Sequence, residues 1–122
     1  MTSESQQLYR RRQELREQVR ALSSKPLMRG SLVQRLRRCG RPNCACARDP
    51  SRLHAGKFLT VQLQGRTQAL HVRAEDEPNV RAAIEAYKRL WELINELTAC
   101  ELAELRRQGR ERRRGRRRRR GG

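Results

Sequence analysis

The sequence is short of several things that most folded domains rely on. It holds one Trp, two Tyr and one Phe, so aromatics make up 3% of the chain, and hydrophobic residues reach only 35%. A large core is therefore excluded, and a small domain with so little apolar material commonly depends on a metal, disulfides or a partner. No apolar run has the length needed to cross a bilayer, which argues against a membrane partner. The N-terminal residues Met1 to Ser5 are polar and lead into an amphipathic pattern, unlike a secretory signal. The expected setting is thus cytoplasmic and reducing, where clustered thiols read as metal ligands rather than disulfides. Glycine-rich phosphate loops are absent, and no cluster of free carboxylates accompanies the cysteines. An enzyme is not expected.

Acid is scarce as well: 13 Asp+Glu stand against 30 Lys+Arg, for a net charge of +17. Lys25, Lys57 and Lys88 are the only lysines, so the excess is almost wholly arginine. Guanidinium groups favour planar, two-pronged contacts with phosphate. An excess of this size implies an anionic partner, and nucleic acid is the first candidate, with DNA expected ahead of RNA.

What the chain does have is a knot of cysteines. Cys39, Cys44 and Cys46 fall in a turn-rich stretch with Gly40, Pro42 and Asn43, and His54 follows a short polar loop. Thiolates and an imidazole suit a borderline-soft dication, and four of them close a structural tetrahedron, so the expected cofactor is structural Zn2+ on Cys39, Cys44, Cys46 and His54. His71 or a water is the alternative fourth ligand. In a straight strand Cys44 and Cys46 would point to opposite faces, so sharing one ion demands a turn between them. Reduced thiols without metal, or a redox pair at Cys44 and Cys46, are the competing readings. Cys100 reads as a small core residue of a helix.

Around this knot the patterns predict an α+β fold. Residues 4–23 form a helix with Leu8, Leu15, Val19 and Leu22 on one stripe, capped by Thr2 or Ser3 and ended before Pro26. Residues 30–73 hold the metal loop and a three-stranded antiparallel sheet. Its strands are expected at 31–37, 57–64 and 67–73, with a hairpin turn at Gly65-Arg66. On the second strand Leu59, Val61 and Leu63 share one face, as do Leu70 and Val72 on the third. A long helix follows over 78–107, with the stripe Val80, Ile84, Tyr87, Leu90, Trp91, Ile94, Leu97 and Leu105 close to a coiled-coil pattern. It should pair with the first helix, completing a single domain over 1–107, and Tyr87 and Trp91 read as packing residues.

Residues 108–122 are predicted to be a disordered arginine-rich tail, broken by Gly115, Gly121 and Gly122. The residues expected to touch nucleic acid are Arg35, Arg37, Arg38, Arg41 and Arg48 around the knot. From the tail come Arg112, Arg113, Arg114, Arg116, Arg117, Arg118, Arg119 and Arg120.

The segments Arg29-Gly30-Ser31-Leu32-Val33, Cys39 to Cys46 and His54-Ala55-Gly56 resemble a family of short uncharacterised prokaryotic proteins, often encoded near transposases or other mobile elements. The resemblance spans about residues 29–97 and implies Cys39, Cys44, Cys46 and His54 as metal ligands. This chain departs from the pattern at Lys57-Phe58-Leu59, where the family carries proline and aromatics, and in its arginine tail. The resemblance implies no known reaction. The leading expectation is a non-enzymatic, zinc-stabilised nucleic-acid-binding module, nucleoid-associated if the partner is DNA, and an accessory of a transposase or other mobile element. Its rival is a helical subunit for protein interaction or self-association within a larger nucleoprotein complex. A metal-dependent nuclease ranks third.

Overall fold

The computed structural model describes residues 3–121. Helix α1 spans Glu4–Ser23, strands β1, β2 and β3 span Ser31–Arg37, His54–Leu63 and Arg66–Val72, and helix α2 spans Glu77–Gly121. Two short 3-10 turns, Ala45–Ala47 and Pro50–Arg52, lie between β1 and β2. The α+β architecture is the one the patterns predict. Among the described residues no helix is long and apolar enough to cross a membrane. The chain divides into two compact units, one holding the described residues up to Pro26 and those from Lys88 onward, the other Leu27–Tyr87.

The first unit is an antiparallel helix pair. Ser3 caps α1: its hydroxyl accepts from the Gln6 N–H, while the Gln6 side chain accepts from the Ser3 N–H. This reciprocal box satisfies two donors that a helix start leaves open. Thr2, the other cap candidate, lies outside the described residues. Leu15 and Leu93 are fully buried against each other's neighbours, with Cys100, Val19, Leu22 and Leu97 around them. Cys100 is the small core residue expected. Glu4 binds Arg110, Arg12 binds Glu101, Arg11 binds Glu96, and Gln18 accepts from Arg89, so numbers rise on one helix as they fall on the other. Exposed pairs of this kind contribute about 0–1 kcal/mol each, so they set register more than they add stability. Glu104 is buried, and bonds from Arg107 at 2.6 Å and from Gln108 hold its carboxyl below the ordinary carboxylate range.

Two expectations about α2 need correction. Trp91 is 54% exposed and Leu105 61%, so neither packs on α1; Leu93, Leu97, Cys100 and Glu104 form the covered side instead. The helix carries apolar residues on two sides, and periodicity alone cannot say which side α1 meets. Nor is the arginine run disordered: α2 continues through it to Gly121. Arginine is a good helix former, and Gly109 and Gly115 cost about 1 kcal/mol each without breaking the run. Arg107 pairs with Glu111 one turn on, and Arg118, Arg119 and Arg120 sit in the last turn, where the helix dipole favours cations. Gly122 lies outside the described residues.

The second unit is the sheet, in the order β1-β2-β3 and antiparallel throughout. Strand β2 starts at His54, ahead of the expected Lys57, because His54, Ala55 and Gly56 find partners in Arg37, Leu36 and Arg35. Gln64 and Gly65 both have positive φ, 53° and 76°, the signature of a type I′ turn, so the bend centres one residue before the predicted position. One face of the sheet buries Leu59 and Val72 against Ile84 of α2, with Met28, Leu32, Val61 and Val80 packed alongside. Leu70 and Leu36 share that face but remain largely exposed, at 66% and 64%.

Gly30 leads into β1 where the chain passes close to β2. A Cβ there would stand 2.7 Å from Val61 Cγ1 and 2.8 Å from the Thr60 carbonyl oxygen. Backbone cannot yield as a side chain can. Gly30→Ala should therefore destabilise this unit by about 1–3 kcal/mol, read as a lower urea midpoint with unchanged slope. An unchanged midpoint would show that the entry to β1 shifts freely.

Candidate metal centre

The knot is built by local geometry. Strand β1 ends at Arg37 and delivers Cys39 beyond the sheet; Gly40 then takes a φ of 84°, a left-handed conformation that suits glycine. A turn closed by the Cys44 N–H on the Arg41 carbonyl brings in Cys44. The 3-10 turn Ala45–Ala47 follows at once, so the backbone between Cys44 and Cys46 is wound rather than straight. The demand that two cysteines two apart share one side is met by this turn. Asp49 caps the next short turn, accepting from the Ser51 hydroxyl and backbone N–H, which keep its carboxyl below the usual range. The chain then returns to the sheet, and His54 opens β2 opposite Arg37.

Cys39, Cys44, Cys46 and His54 are brought together, with one ligand atom from each and all four within 4.8 Å of one another. Cys44 Sγ lies 3.2 Å from His54 Nε2, and Cys46 Sγ lies 3.5 Å from Cys39 Sγ. A tetrahedral ion with sulfur at about 2.3 Å and nitrogen near 2.0 Å sets its ligand atoms roughly 3.5–3.8 Å apart. The observed spread brackets those edges, so the four can hold a metal ion. His71 is elsewhere: its ring meets Phe58 edge-on at 5.2 Å between centroids.

Electrostatics favours the same use. The Arg41 backbone N–H and the Cys46 thiol both bond Cys39, and they hold its thiol below the ordinary value. At Cys46 the Cys39 N–H donates to the sulfur at 3.4 Å and favours the thiolate. Burial and the sulfurs of Cys39 and Cys44 outweigh it, and the Cys46 thiol is pushed up. Only 1% of Cys46 is exposed, so its charged form has no water to lean on. A dication supplies that compensation, and its binding would displace the proton. The cluster is not sealed: Cys39, Arg41, Asn43, Cys44 and His54 line an open recess.

Arg38, Arg41 and Arg48 are exposed on and beside the knot. Arg35 and Arg37 lie on β1, with their guanidinium carbons 6.0 and 5.5 Å from the Phe58 ring centre. The arginines from Arg112 to Arg120 are exposed on the last turns of α2. Sequence patterns alone assign no role to Phe58 or Gly56. The signal was the strand alternation, which puts Phe58 on the face away from Leu59.

The model of a domain of unknown function, DUF6788, matches residues 5–82, more than half of the chain. The match takes in α1, the knot, the sheet and the start of α2, and the arginine run lies outside it. No curated protein matches the chain, and no solved structure does.

Proposed function

The chain belongs to the DUF6788 family of unknown function, and we propose that it acts as a non-enzymatic nucleic-acid-binding module whose knot is held by zinc. The observation that carries this reading is which arginines have acids to neutralise them. On the helices, Arg11, Arg12, Arg81, Arg89, Arg107 and Arg110 each bind a glutamate. Among the described residues no carboxylate pairs with Arg35, Arg37, Arg38, Arg41 or Arg48, nor with the arginines from Arg112 to Arg120. Among the described residues Arg10, Arg16, Arg20, Arg29, Arg66 and Arg106 also lack an acid partner, but the two groups with the most uncompensated arginines close together in the chain are those around the knot and at the end of α2. Zinc is the metal that a Cys3His set suits best. With four protein ligands its part is to fix the loop, and through it Arg38, Arg41 and Arg48, over phosphates. The resemblance noted above suggests an accessory of a transposase or other mobile element, and the arginine excess suggests DNA in the cytoplasm as its partner.

Salt tests the electrostatic account. If the five guanidiniums around the knot each displace one counterion, the slope of log K against log salt on duplex DNA is about −4.5, or roughly a 500-fold loss between 50 and 200 mM. Fluorescence anisotropy with a labelled oligonucleotide reads this directly. A loss under about tenfold would refute the account.

A second reading has its own observation. Trp91, Ile94, Leu102 and Leu105 are 40–61% exposed on α2, at helical spacing. That stripe suits self-association or docking on a larger nucleoprotein. Oligomeric state measured with and without DNA separates the two: a dimer indifferent to DNA, with no affinity for it, favours the second.

A further inference from the structure

We propose that the open face of the sheet is a stacking site for an unpaired base, so that single-stranded nucleic acid is its occupant. This rests on the nucleic-acid reading above and names the form of the partner. Phe58 pairs across the sheet with Val33 on one side and His71 on the other, on the face opposite Leu59 and Val72. Alternation along β1 puts Arg35 and Arg37 on the same face. Phe58 is half-buried and lies outside the apolar cluster that packs on α2; its ring meets the His71 edge at 5.2 Å and two guanidiniums at 6.0 and 5.5 Å. The chain's one phenylalanine is thus spent on the side of the sheet away from the core, in a sequence with few aromatics to spare.

Gly56 shapes the platform. A Cβ there would come 3.3 Å from Phe58 Cε2, a tight approach, and an ordinary 3.5 Å from the His71 ring, so glycine leaves the Phe58 ring the most room beside the start of β2. His54 stands two residues further along, on the same face and in the metal cluster. The knot therefore anchors the end of the strand that carries the ring. The guanidiniums near the ring sit at separations that mark loose contacts, weaker at an exposed site than base stacking. An entering base can move them aside, and once moved they lie beside its own phosphates. Charge complementarity names the occupant: an aromatic surface framed by two cations with no acid partner among the described residues fits a base attached to phosphate. A duplex keeps its bases stacked inside and offers no free face to Phe58.

The test compares the full zinc-loaded chain with its Phe58→Leu variant on a labelled single strand and on the matching duplex. Leucine preserves an apolar side chain at this position, and thermal melting confirms that the variant folds. The expected result is a 5- to 100-fold loss of single-strand affinity with duplex affinity changed less than about twofold. Arg35→Gln should weaken both strands by similar, smaller factors. An equal loss on both, or no loss on either, overturns the stacking site while leaving nucleic-acid binding in place. Binding to neither oligonucleotide overturns both proposals.

Discussion

Cys46→Ser should strip the protein of its metal and melt the sheet unit well below the parent. Cys46 is the buried member of the cluster, and its sulfur holds a bond from the Cys39 N–H at 3.4 Å and a contact with Cys39 Sγ at 3.5 Å. Serine offers a harder, weaker donor and leaves the other thiols without a fourth partner. Metal bound at a free concentration of about a thousand times Kd adds about 4 kcal/mol to the folded state. For a domain of this size that amounts to roughly 15–30 °C in melting temperature. The core of this unit is small, a cluster of Leu59, Val72 and Ile84 with Ala83 also buried, so it has little else to fall back on. A strong chelator added to the parent should reproduce the drop. Cys100→Ala is the control: Cys100 belongs to the helix-pair core, so metal content should be unchanged. Equal melting temperatures for the parent, the chelated parent and Cys46→Ser would show that the cysteines carry no structural ion.

The second large effect falls on the helix pair. Leu93→Ala should destabilise it by about 2–5 kcal/mol, the range for emptying a fully buried leucine site. Leu93 has no exposed surface and packs in one cluster with Leu15 and Cys100. Marginal stability makes such a loss enough to open a pair of helices with few other buried contacts. Helical circular dichroism should fall at lower denaturant, while metal content holds, since every ligand lies in the other unit. Trp91→Ala sharpens the comparison. Sequence periodicity marks Trp91 as a packing residue, yet it is more than half exposed, and its loss should cost under about 1 kcal/mol. A larger cost for Trp91→Ala than for Leu93→Ala would reverse the assignment of the covered side.

The contrast between Leu93 and Trp91 shows where sequence runs out. Strand β1 was legible to the residue, because Gly30 precedes it and the charged run at Arg37-Arg38 follows. The metal cluster was legible because ligand chemistry is local: three thiols and an imidazole within one loop have few ways to be used. What spacing left open was the fourth ligand. The structure puts His54, not His71, beside the three thiols: its pairing with Arg37 starts β2 early enough to carry the imidazole back to Cys44. The side of α2 that α1 covers depends on contacts far apart in the chain, such as Arg110 with Glu4 and Arg12 with Glu101. Apolar residues run around that helix from Leu90 to Ile94, so no moment picks one side. The arginine run misled for a different reason. Like charges repel, which argues for disorder, but arginine's helix propensity and the pairing of Arg107 with Glu111 and of Arg110 with Glu4 carry α2 onward.

The Phe58 face was visible only as a pattern without a partner. Alternation separated Phe58 from Leu59, but the framing by Arg35, Arg37 and His71 needs the register of three strands. A shift of one residue in either pairing would send those side chains to the other face.

X-ray absorption at the zinc edge, on protein purified with its metal, tests the central claim most directly. A Cys39/Cys44/Cys46/His54 site predicts three sulfur neighbours at about 2.3 Å and one nitrogen near 2.0 Å. A first shell of oxygen and nitrogen alone, or a purified chain carrying no metal whose thiols all react freely, would contradict it.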